Sequence, residues 1–504
     1  MNVYVFNLLV GYMPNGIDNA QGYREKMFNQ IGIDAFYVFT DFPKINNISY
    51  YNKIGIPINK MTNPFLKLTG RNSFDFVDKT ESIIQSLNES LGKCEIKHLK
   101  DIIQIWKDGY IAAEVHTLPW NDQYFYEVLY FKKNCLIRTD FYSDGIVYSD
   151  FFVTDKRDDG GLYAKKVKRS FYSKDRIKIL EQIDDAFILG DGRIISMYEI
   201  IDVYLDELHL KEEDSLIMDR AYDLEFNEVI FAKDLSCKKI CVIHSGHYFE
   251  PNQSTIALYL NYEYYFWFKY SDSVDSFVVS TEEQKKDLIR VLRKFNYSIP
   301  NICVIPVGAT EELCVSNNRI KNSIMTASRI VRGKRLDLII KAVIEANKRC
   351  NVCLDIYGNG DPTIKNELKK IIDSNDASDY IKFKGYQDLK GIYKKYQLYV
   401  STSIFETFGL TLLEAASSGC ALIGLDVPYG CTTFIENGKN GYLIDYSFDC
   451  NENDEQRLIS TIADRIVDVF SDYKRLNDFS EFSYKKACNY LLTKISCLWE
   501  QLIK

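Results

Sequence analysis

Apolar runs that alternate with helical patterns occupy the two ends of the chain. Residues 2–10 are almost entirely apolar, a glycine-containing turn follows, and a helical pattern extends through Gln30. A buried parallel strand that leads through a glycine turn into a helix is typical of a Rossmann-like domain. The same alternation returns in the C-terminal part of the chain, where strands are predicted at 323–327, 352–357, 397–401 and 421–425. The pattern therefore predicts two Rossmann-like α/β domains.

The middle of the chain has a different rhythm. Between about residues 70 and 205, short strands rich in Tyr and Phe replace the alternation of strands and helices. Asp108-Gly109 and Asp144-Gly145 separate two pairs of these strands, and Asp-Gly between alternating runs is a strong hairpin signal. We therefore predict an inserted antiparallel β-meander. After it, the α/β pattern resumes with strands at 215–219, 239–244 and 276–280 and a helix at 282–295.

These changes of rhythm set the predicted domain boundaries. The N-terminal Rossmann-like domain comprises residues 1–66 and 206–312, and the β-meander of residues 67–205 interrupts it. The C-terminal Rossmann-like domain covers residues 313–485. The last helix, in residues 486–504, is expected to cross back to the N-terminal domain.

Composition excludes several classes of protein. The 504 residues carry a formal charge of −8, and the isoelectric point near 5.4 argues against a nucleic-acid-binding protein, which needs a basic surface. The 13 cysteines are scattered, and Cys350 and Cys353 have no second pair that would complete a zinc site. No apolar run reaches the roughly 20 residues that span a bilayer, and the N-terminus lacks a signal-peptide pattern. We therefore expect a cytoplasmic protein with reduced thiols.

Two carboxylates eight residues apart, Glu406 and Glu414, flank a glycine and a run of apolar residues. An ionised carboxylate in an apolar segment is costly unless a partner pairs with it, and sugar and ribose hydroxyl groups are suitable partners. If a helix begins after Gly409, its first N–H groups suit a phosphate, and Glu414 lies about 7 Å further along. The segment thus predicts a nucleotide-sugar site.

Two further motifs precede this segment and suggest a family. Residues 326–337 contain Ser328-Arg329, Lys334 and Asp337, and residues 356–360 read Ile-Tyr-Gly-Asn-Gly. Together the three segments resemble, in order and spacing, the Ser-Arg-x4-Lys-x2-Asp, Gly-x-Gly and Glu-x7-Glu motifs of the retaining glycosyltransferases of family 4. That resemblance implies the GT-B fold, in which two Rossmann-like domains face a cleft. The C-terminal domain would bind the nucleotide sugar, and the N-terminal domain would face the acceptor.

The resemblance also implies roles for individual residues. Arg329 and Lys334 would meet the diphosphate as it gains charge on leaving, which is often the largest catalytic contribution. Glu406 would face the hydroxyl groups of the donor sugar, and Glu414 those of the ribose. The other residues expected to contact the donor sugar, phosphate or base are Tyr386, Gln387, Thr407, Phe408, Gly409 and Leu410.

The N-terminal half is expected to complete the donor site. Gly16 follows the first strand and opens a helix, so that backbone N–H groups near Ile17, Asp18 and Asn19 could approach the donor. His244 ends a predicted strand, and the resemblance makes it the contact at the reaction centre, although the residues alone fit a core histidine equally well. No Asp-x-Asp triplet occurs, so neither a divalent metal nor another cofactor is expected.

Residues 11–24, the β-rich insertion and residues 244–248 narrow the resemblance. They are similar to the catalytic subunits of bacterial O-glycosyltransferases that modify serine-rich-repeat adhesins before export by an accessory secretion system. The resemblance implies transfer of N-acetylglucosamine or glucose from a UDP-sugar to Ser and Thr hydroxyl groups. It implies a noncatalytic paralogous subunit as partner, an insertion that binds acceptor or partner, and possible association with the inner face of the membrane.

Two alternatives accompany this reading. One is a wall teichoic acid α-glycosyltransferase, whose polyphosphate acceptor could bind six cations, although a solvated strand edge explains the lysines equally well. They are Lys165, Lys166, Lys168, Arg169, Lys174 and Arg176. The other is a noncatalytic binding subunit, against which the four residues Arg329, Lys334, Glu406 and Glu414 argue. The residues leave open which UDP-sugar is used, which acceptor is modified, whether a partner subunit is required and which oligomer forms.

Overall fold

The computed structural model of the chain describes residues 1–7, 16–40, 42–219, 224–249, 259–316, 318–447 and 452–504. These residues form two compact units. The first lies within residues 1–25, 33–241 and 273–275, and the second within 26–32, 242–272 and 276–504. The domain boundaries that the sequence suggests stay a prediction.

Strands and helices alternate up to Leu91, and all of them belong to the first unit except the C-terminal part of the first helix. In chain order they are β1 (Val3–Asn7), α1 (Gly16–Ile31), β2 (Ala35–Phe39), α2 (Ile45–Lys53), β3 (Met61–Thr62), α3 (Pro64–Leu68) and α4 (Thr80–Leu91). The strand predicted over residues 2–10 is confirmed for Val3–Asn7, where Val3 and Val5 are fully buried. Residues 8–10 and the turn of residues 11–15 lie outside the described residues.

A ten-stranded antiparallel sheet follows, and its strands neighbour one another in chain order, which confirms the predicted meander. The strands are β4 (Glu95–His98), β5 (Ile102–Lys107), β6 (Tyr110–Leu118), β7 (Asn121–Lys132), β8 (Cys135–Tyr142), β9 (Ile146–Lys156), β10 (Leu162–Tyr172), β11 (Lys178–Ile183), β12 (Ala186–Leu189) and β13 (Ile194–Ile195). Asp108 and Gly109 have φ of 51° and 79°, and Asp144 and Gly145 have φ of 53° and 83°. Positive φ at both central residues is what a tight type I′ hairpin turn requires, so both Asp-Gly predictions are confirmed.

Aromatic rings pack the antiparallel sheet against the α/β part of the first unit. Phe65, on α3, stacks on Phe171 of β10 with ring centroids 4.8 Å apart. The ring centroid of Phe42 lies 4.8 Å from that of Tyr148 and 5.8 Å from that of Phe65. Large rings bury much apolar area at low conformational cost, so this cluster is the core that fixes the insertion in place.

The first unit closes with α5 (Met197–Glu207), β14 (Ser215–Met218), α6 (Leu224–Ala232) and β15 (Lys238–Val242). The parallel strands neighbour one another in the order β15-β14-β1-β2-β3. Beside the end of β14, Arg24 of α1 forms a two-pronged ion pair with Asp219, with N–O distances of 2.6 and 2.7 Å. Both side chains are buried, so each charge needs the other.

The second unit contains a six-stranded parallel sheet of order β22-β21-β20-β23-β24-β25, which confirms the predicted Rossmann-like pattern. The first elements of the second unit are β16 (Tyr248–Phe249), β17 (Tyr259–Leu260), α7 (Tyr265–Lys269), β18 (Ser276–Val279), α8 (Glu282–Lys294) and β19 (Asn301–Val304). The sheet and its helices follow as β20 (Ser323–Ala327), α9 (Leu336–Asn347), β21 (Cys353–Tyr357), α10 (Pro362–Asp373), β22 (Ile381–Gly385), β23 (Leu398–Ser401), α11 (Leu410–Ser417), β24 (Ala421–Leu425), α12 (Gly430–Phe434) and β25 (Gly441–Ile444). The unit ends with α13 (Glu452–Ser471), α14 (Tyr473–Ala487) and α15 (Leu492–Ile503).

The last helix, α15, packs against the C-terminal part of α1. Trp499 meets Phe28 edge-on with ring centroids 5.6 Å apart, and Ser496 donates a hydrogen bond to Gln30 at 3.0 Å. Among the described helices, none combines the length and the apolar character needed to cross a bilayer.

Candidate active site

Glu406 and Lys334 meet in the second unit. Lys334 lies in the loop after β20 and Glu406 in the loop after β23, and these strands are neighbours in the parallel sheet. The Lys334 ammonium donates to Glu406 Oε2 at 2.7 Å, and both side chains are about one-fifth exposed. The cation predicted for the diphosphate and the acid predicted for the sugar therefore form one charged pair that still reaches solvent.

Arg329, the second predicted cation, is exposed and has no hydrogen-bonded or ion-paired side-chain partner among the described residues. Its loop rests on the Gly358-Asn359-Gly360 turn. The Ile330 N–H donates to the Asn359 carbonyl at 3.0 Å, and Ile330 and Gly360 form a parallel bridge. The structure thus fixes the backbone of Arg329 and leaves its guanidinium available.

Helix α11 begins as predicted, immediately after Gly409. Gly409 has φ of 83° at the N-cap, and a Cβ there would lie 2.8 Å from Leu412 Cδ1 and 3.3 Å from Glu406 Cγ. Phe408 is buried, whereas Thr407 and Leu410 are half-buried. Glycine is therefore required at 409 both for its backbone conformation and for the room that Glu406 occupies.

Glu414 lies just over one turn into α11 and has a protein partner that the sequence did not reveal. The hydroxyl of Tyr393 donates to Glu414 Oε2 at 2.7 Å, and Tyr393 is buried. Tyr393 belongs to a short 3-10 helix before β23, so no motif spacing indicated it. The bond orients the carboxylate that the resemblance assigns to the ribose.

Side chains of other segments form hydrogen bonds to the backbone of the loop that carries His244. Gln284 Nε2 donates to the carbonyls of Ile243 and Ser245, each at 3.3 Å. Asn261 Nδ2 donates to the Gly246 carbonyl at 2.8 Å. His244 is half-buried, and a Cβ on Gly246 would lie 2.5 Å from Phe405 Cζ. The His244 loop and the Glu406 loop therefore touch, and Gly246 permits the contact.

Most of the remaining predicted residues are exposed. Tyr386 is 74% exposed, so simple packing does not account for it, and Gln387 is also exposed and donates to the Lys384 carbonyl. Gly16 and Asn19 are exposed at the start of α1, and Ile17 is half-buried. Asp18 is fully buried and accepts a hydrogen bond from Tyr51 at 3.3 Å. The donor-binding roles of these residues stay predictions.

His247 gives a testable pH dependence of stability. It is fully buried, and neither ring nitrogen has a hydrogen-bond partner of normal geometry among the described residues. Burial lowers the pKa of His247 to about 4, although the Asp287 carboxylate opposes the shift. In the unfolded chain the imidazole titrates near 6.5, so between about pH 6.5 and pH 4 only the unfolded state binds the proton. We expect about 3 kcal/mol of stability to be lost as the pH falls through this window.

Melting temperatures of the wild type and of His247→Gln, measured from pH 7 to pH 4, check this expectation. The variant should show a shallower loss of stability in acid. His98, which is exposed, provides the control, and His98→Gln should keep the wild-type slope. Equal slopes for His247→Gln and the wild type would contradict the assignment.

Two family models match the chain. "Glycosyl transferases group 1" covers residues 315–486, and "GtfA extended beta-sheet domain" covers residues 96–187. A GtfA subunit of the UDP-N-acetylglucosamine–peptide N-acetylglucosaminyltransferase of Streptococcus agalactiae is 32% identical over 100% of this chain and 98% of its own length. The residues matched by the two models include most of the antiparallel sheet, the loops of Arg329, Lys334 and Glu406, and Glu414 in α11.

Two solved GtfA structures also align with this chain over its full length. The pneumococcal O-GlcNAc transferase GtfA in complex with UDP and GlcNAc superposes with a TM-score of 0.86 at 29% identity, covering 100% of this chain and 98% of that one. A GtfA/B complex gives a TM-score of 0.88 at 30% identity, covering 100% and 99%. A poly(ribitol-phosphate) α-N-acetylglucosaminyltransferase of Staphylococcus aureus is 27% identical, but over only 53% of this chain and 51% of its own length.

Proposed function

The chain belongs to the GtfA family of GT-B glycosyltransferases, and from this premise we propose that it transfers N-acetylglucosamine from UDP-N-acetylglucosamine to a polypeptide. The acceptor groups are Ser and Thr hydroxyls of a serine-rich-repeat adhesin, modified before export. Full-length similarity to peptide N-acetylglucosaminyltransferases supports the acceptor class, and the GtfA structure that holds UDP and GlcNAc supports the donor.

The hydrogen-bonded pair of Lys334 and Glu406 is the observation that carries the proposal. A cation and an acid 2.7 Å apart, half-buried at the ends of adjacent parallel strands, provide one group for a leaving diphosphate and one for a sugar hydroxyl. Arg329 adds a second positive charge. Preorganised charges at the place where charge develops lower the barrier without reorganisation during the reaction. We propose that these two cations neutralise the diphosphate and that no divalent metal is needed.

The same pair argues against a subunit that only binds substrate. A partly buried acid held by a lysine costs desolvation, and this cost is offset where the two charges stabilise the transition state of sugar transfer. A subunit that only binds substrate has no such transition state. The additional bond from Tyr393 to Glu414 orients the second acid of the motif as well. We therefore assign this chain the catalytic role in the proposed enzyme.

A polyphosphate acceptor fits the structure less well. Four of the six cations in residues 165–176 have acidic partners: Lys165 with Asp155, Lys168 with Glu181, Arg169 with Asp150, and Lys174 with Asp144. Locally balanced charge gives little attraction for a polymer of phosphates. The partial match to the teichoic acid enzyme, against full-length matches to GtfA subunits, also favours the polypeptide acceptor.

The partner of this chain is proposed to be a noncatalytic paralogous subunit. The neighbouring GtfA/B complex supports this partner, since it contains a second subunit beside a chain that aligns over the full length. We also propose that the enzyme works in the cytoplasm. The cysteines of the described residues are free thiols, which suits a reducing compartment. Association with the inner face of the membrane has no support among the described residues.

Donor and acceptor are tested together. At the same concentration, UDP-N-acetylglucosamine should raise the melting temperature more than UDP-glucose does, since the ligand with the lower Kd stabilises the folded state more. At 100 times its Kd, a ligand contributes about 2.7 kcal/mol. With a Ser/Thr-rich peptide, N-acetylglucosamine transfer should proceed equally in EDTA and in Mg²⁺, and mass spectrometry should locate the sugar on hydroxyl groups. Poly(ribitol phosphate) is the control acceptor. Transfer to that polymer and not to peptide would refute the proposal.

A further inference from the structure

Tyr429 has a backbone conformation that side-chain-bearing residues rarely adopt. Its φ is 77° and its ψ is −84°, and the side chain is 3% exposed. Glycine tolerates this region, but a bulky residue there is strained and stays only where its surroundings hold it. Such strain is concentrated at functional sites. The contacts that hold Tyr429 therefore indicate what the strained conformation serves.

Two carboxylates of α8 hold Tyr429 from two sides. The Tyr429 hydroxyl donates to Asp287 Oδ2 at 2.9 Å, and the Tyr429 N–H donates to Glu283 Oε2 at 3.1 Å. The Thr432 hydroxyl donates to the same Glu283 oxygen at 2.8 Å. Glu283 and Asp287 are four residues apart and lie on one face of α8, so this helix binds both the hydroxyl and the backbone N–H of Tyr429. We call Tyr429, Asp287 and Glu283 the Tyr429 clamp.

The clamped segment is in direct contact with the backbone of Glu406. Tyr429 and Glu406 form an isolated parallel bridge, and the Gly430 N–H donates to the Glu406 carbonyl at 2.7 Å. A Cβ on Gly430 would lie 2.6 Å from the Phe408 carbonyl oxygen and 2.9 Å from Glu406 Cγ. Residues 429 and 430 thus pack directly against Glu406 and fix the position of its backbone.

We propose that the Tyr429 clamp is a positioning device for Glu406 in sugar transfer, an inference that rests on the proposed function. Tyr429 acts through Glu406 and is not itself a catalytic residue. Without the clamp, the strained peptide would relax, and the backbone of Glu406 would move with it. Its carboxylate would then leave the place that the Lys334 ammonium defines. A displacement of about 1 Å in a reacting group costs on the order of 100-fold in rate, so even a partial release should be measurable.

Tyr429→Phe tests the clamp with the least change of shape. The variant keeps the buried ring but loses the hydroxyl that binds Asp287. We expect kcat to fall by about tenfold or more, while KM for UDP-N-acetylglucosamine and the UDP-induced rise in melting temperature stay within twofold of wild type. Unchanged UDP binding shows that the variant is folded. Glu283→Ala, which releases the backbone end of Tyr429, should lower kcat in the same way.

Tyr248 supplies a matched control. Its hydroxyl donates to the same Asp287 oxygen at 3.0 Å, yet no backbone contact between Tyr248 and Glu406 is present in the described residues. Tyr248→Phe should therefore leave kcat within twofold of wild type. Asp287→Asn retains an acceptor oxygen and should lower kcat less than Asp287→Leu. Asp287→Leu should lower kcat at least as much as Tyr429→Phe, since it also removes the partner of Tyr248 and Arg290. In the double variant Tyr429→Phe/Asp287→Leu, the combined loss should be smaller than the two single losses taken together, since both changes remove the Tyr429–Asp287 hydrogen bond.

Two results would overturn the clamp. One is a kcat for Tyr429→Phe within twofold of wild type, and the other is an equal loss for Tyr248→Phe. Both results count only if the wild-type enzyme transfers sugar in the same assay. An inactive wild type would instead contradict the proposed function, so the two failures are distinguishable.

Discussion

Replacing Glu406 with Gln should lower sugar transfer by about 10²- to 10³-fold, the loss typical of removing one preorganised electrostatic group. The substitution preserves shape and removes the charge that Lys334 binds at 2.7 Å. Lys334 would lose its ion-pair partner, and, in the role proposed for Glu406, the donor sugar would lose a charged acceptor. Both effects are larger in the transition state, so kcat should fall more than KM rises.

Initial rates of transfer from UDP-N-acetylglucosamine to a Ser/Thr-rich peptide measure this effect. Glu367→Gln is the matched control, since Glu367 also pairs with a basic side chain, Arg332, at 3.3 Å, but in an exposed position. That variant should transfer sugar at the wild-type rate, because an exposed ion pair contributes about 0 to 1 kcal/mol. Full activity of Glu406→Gln would remove Glu406 from the catalytic machinery.

Replacing Gly358 with Ala should destabilise the protein by about 2–5 kcal/mol and strongly reduce UDP binding. Gly358 has φ of 122°, and a Cβ on it would lie 1.9 Å from the carbonyl oxygen of Ser328. The Cβ is fixed to the backbone and the Ser328 oxygen is a backbone atom, so a change of side-chain rotamer cannot relieve the clash. Either the turn or the loop of residues 328–330 must shift, and that loop carries Arg329.

The measurement is the melting temperature with and without UDP. Gly358→Ala should melt lower than wild type and show a smaller rise on UDP addition. Gly333→Ala is the control, since nothing lies within 4 Å of a Cβ there and its φ is not positive. A Gly358→Ala variant with wild-type melting and wild-type UDP response would show that this turn does not position Arg329.

Most elements of the fold could be predicted because their signals are local. The strand Ser323–Ala327 is buried at every position, and a short continuous apolar run is what a parallel strand with covered faces requires. The Asp-Gly hairpins were equally readable. A third hairpin turn, at Lys133 and Asn134, also has positive φ at both residues but carries no glycine, so its signal was weaker.

The candidate site was readable only in part. Motif spacing indicated Arg329, Lys334, Glu406 and Glu414, and the structure joins Lys334 to Glu406, while the roles of all four in donor binding stay predictions. Tyr393 and Asp287 were missed, because a single Tyr or Asp on a helix has no distinguishing local pattern. Pro428-Tyr429-Gly430 predicts a turn from its residue types, but nothing in it indicates that Tyr429 takes the left-handed φ.

Hydrophobic period, turn residues and motif spacing act over a few to a few tens of residues, and through them the chain itself specifies its parallel and antiparallel sheets, its helix starts and its family. The meeting of charges depends on how remote elements pack. Lys334 and Glu406 are 72 residues apart, and Asp287 and Tyr429 are 142 apart. No local preference encodes such pairs, because their energy arises only when burial brings the two groups within hydrogen-bond distance. Tertiary structure therefore decided which acid each cation holds and which backbone carries the strain.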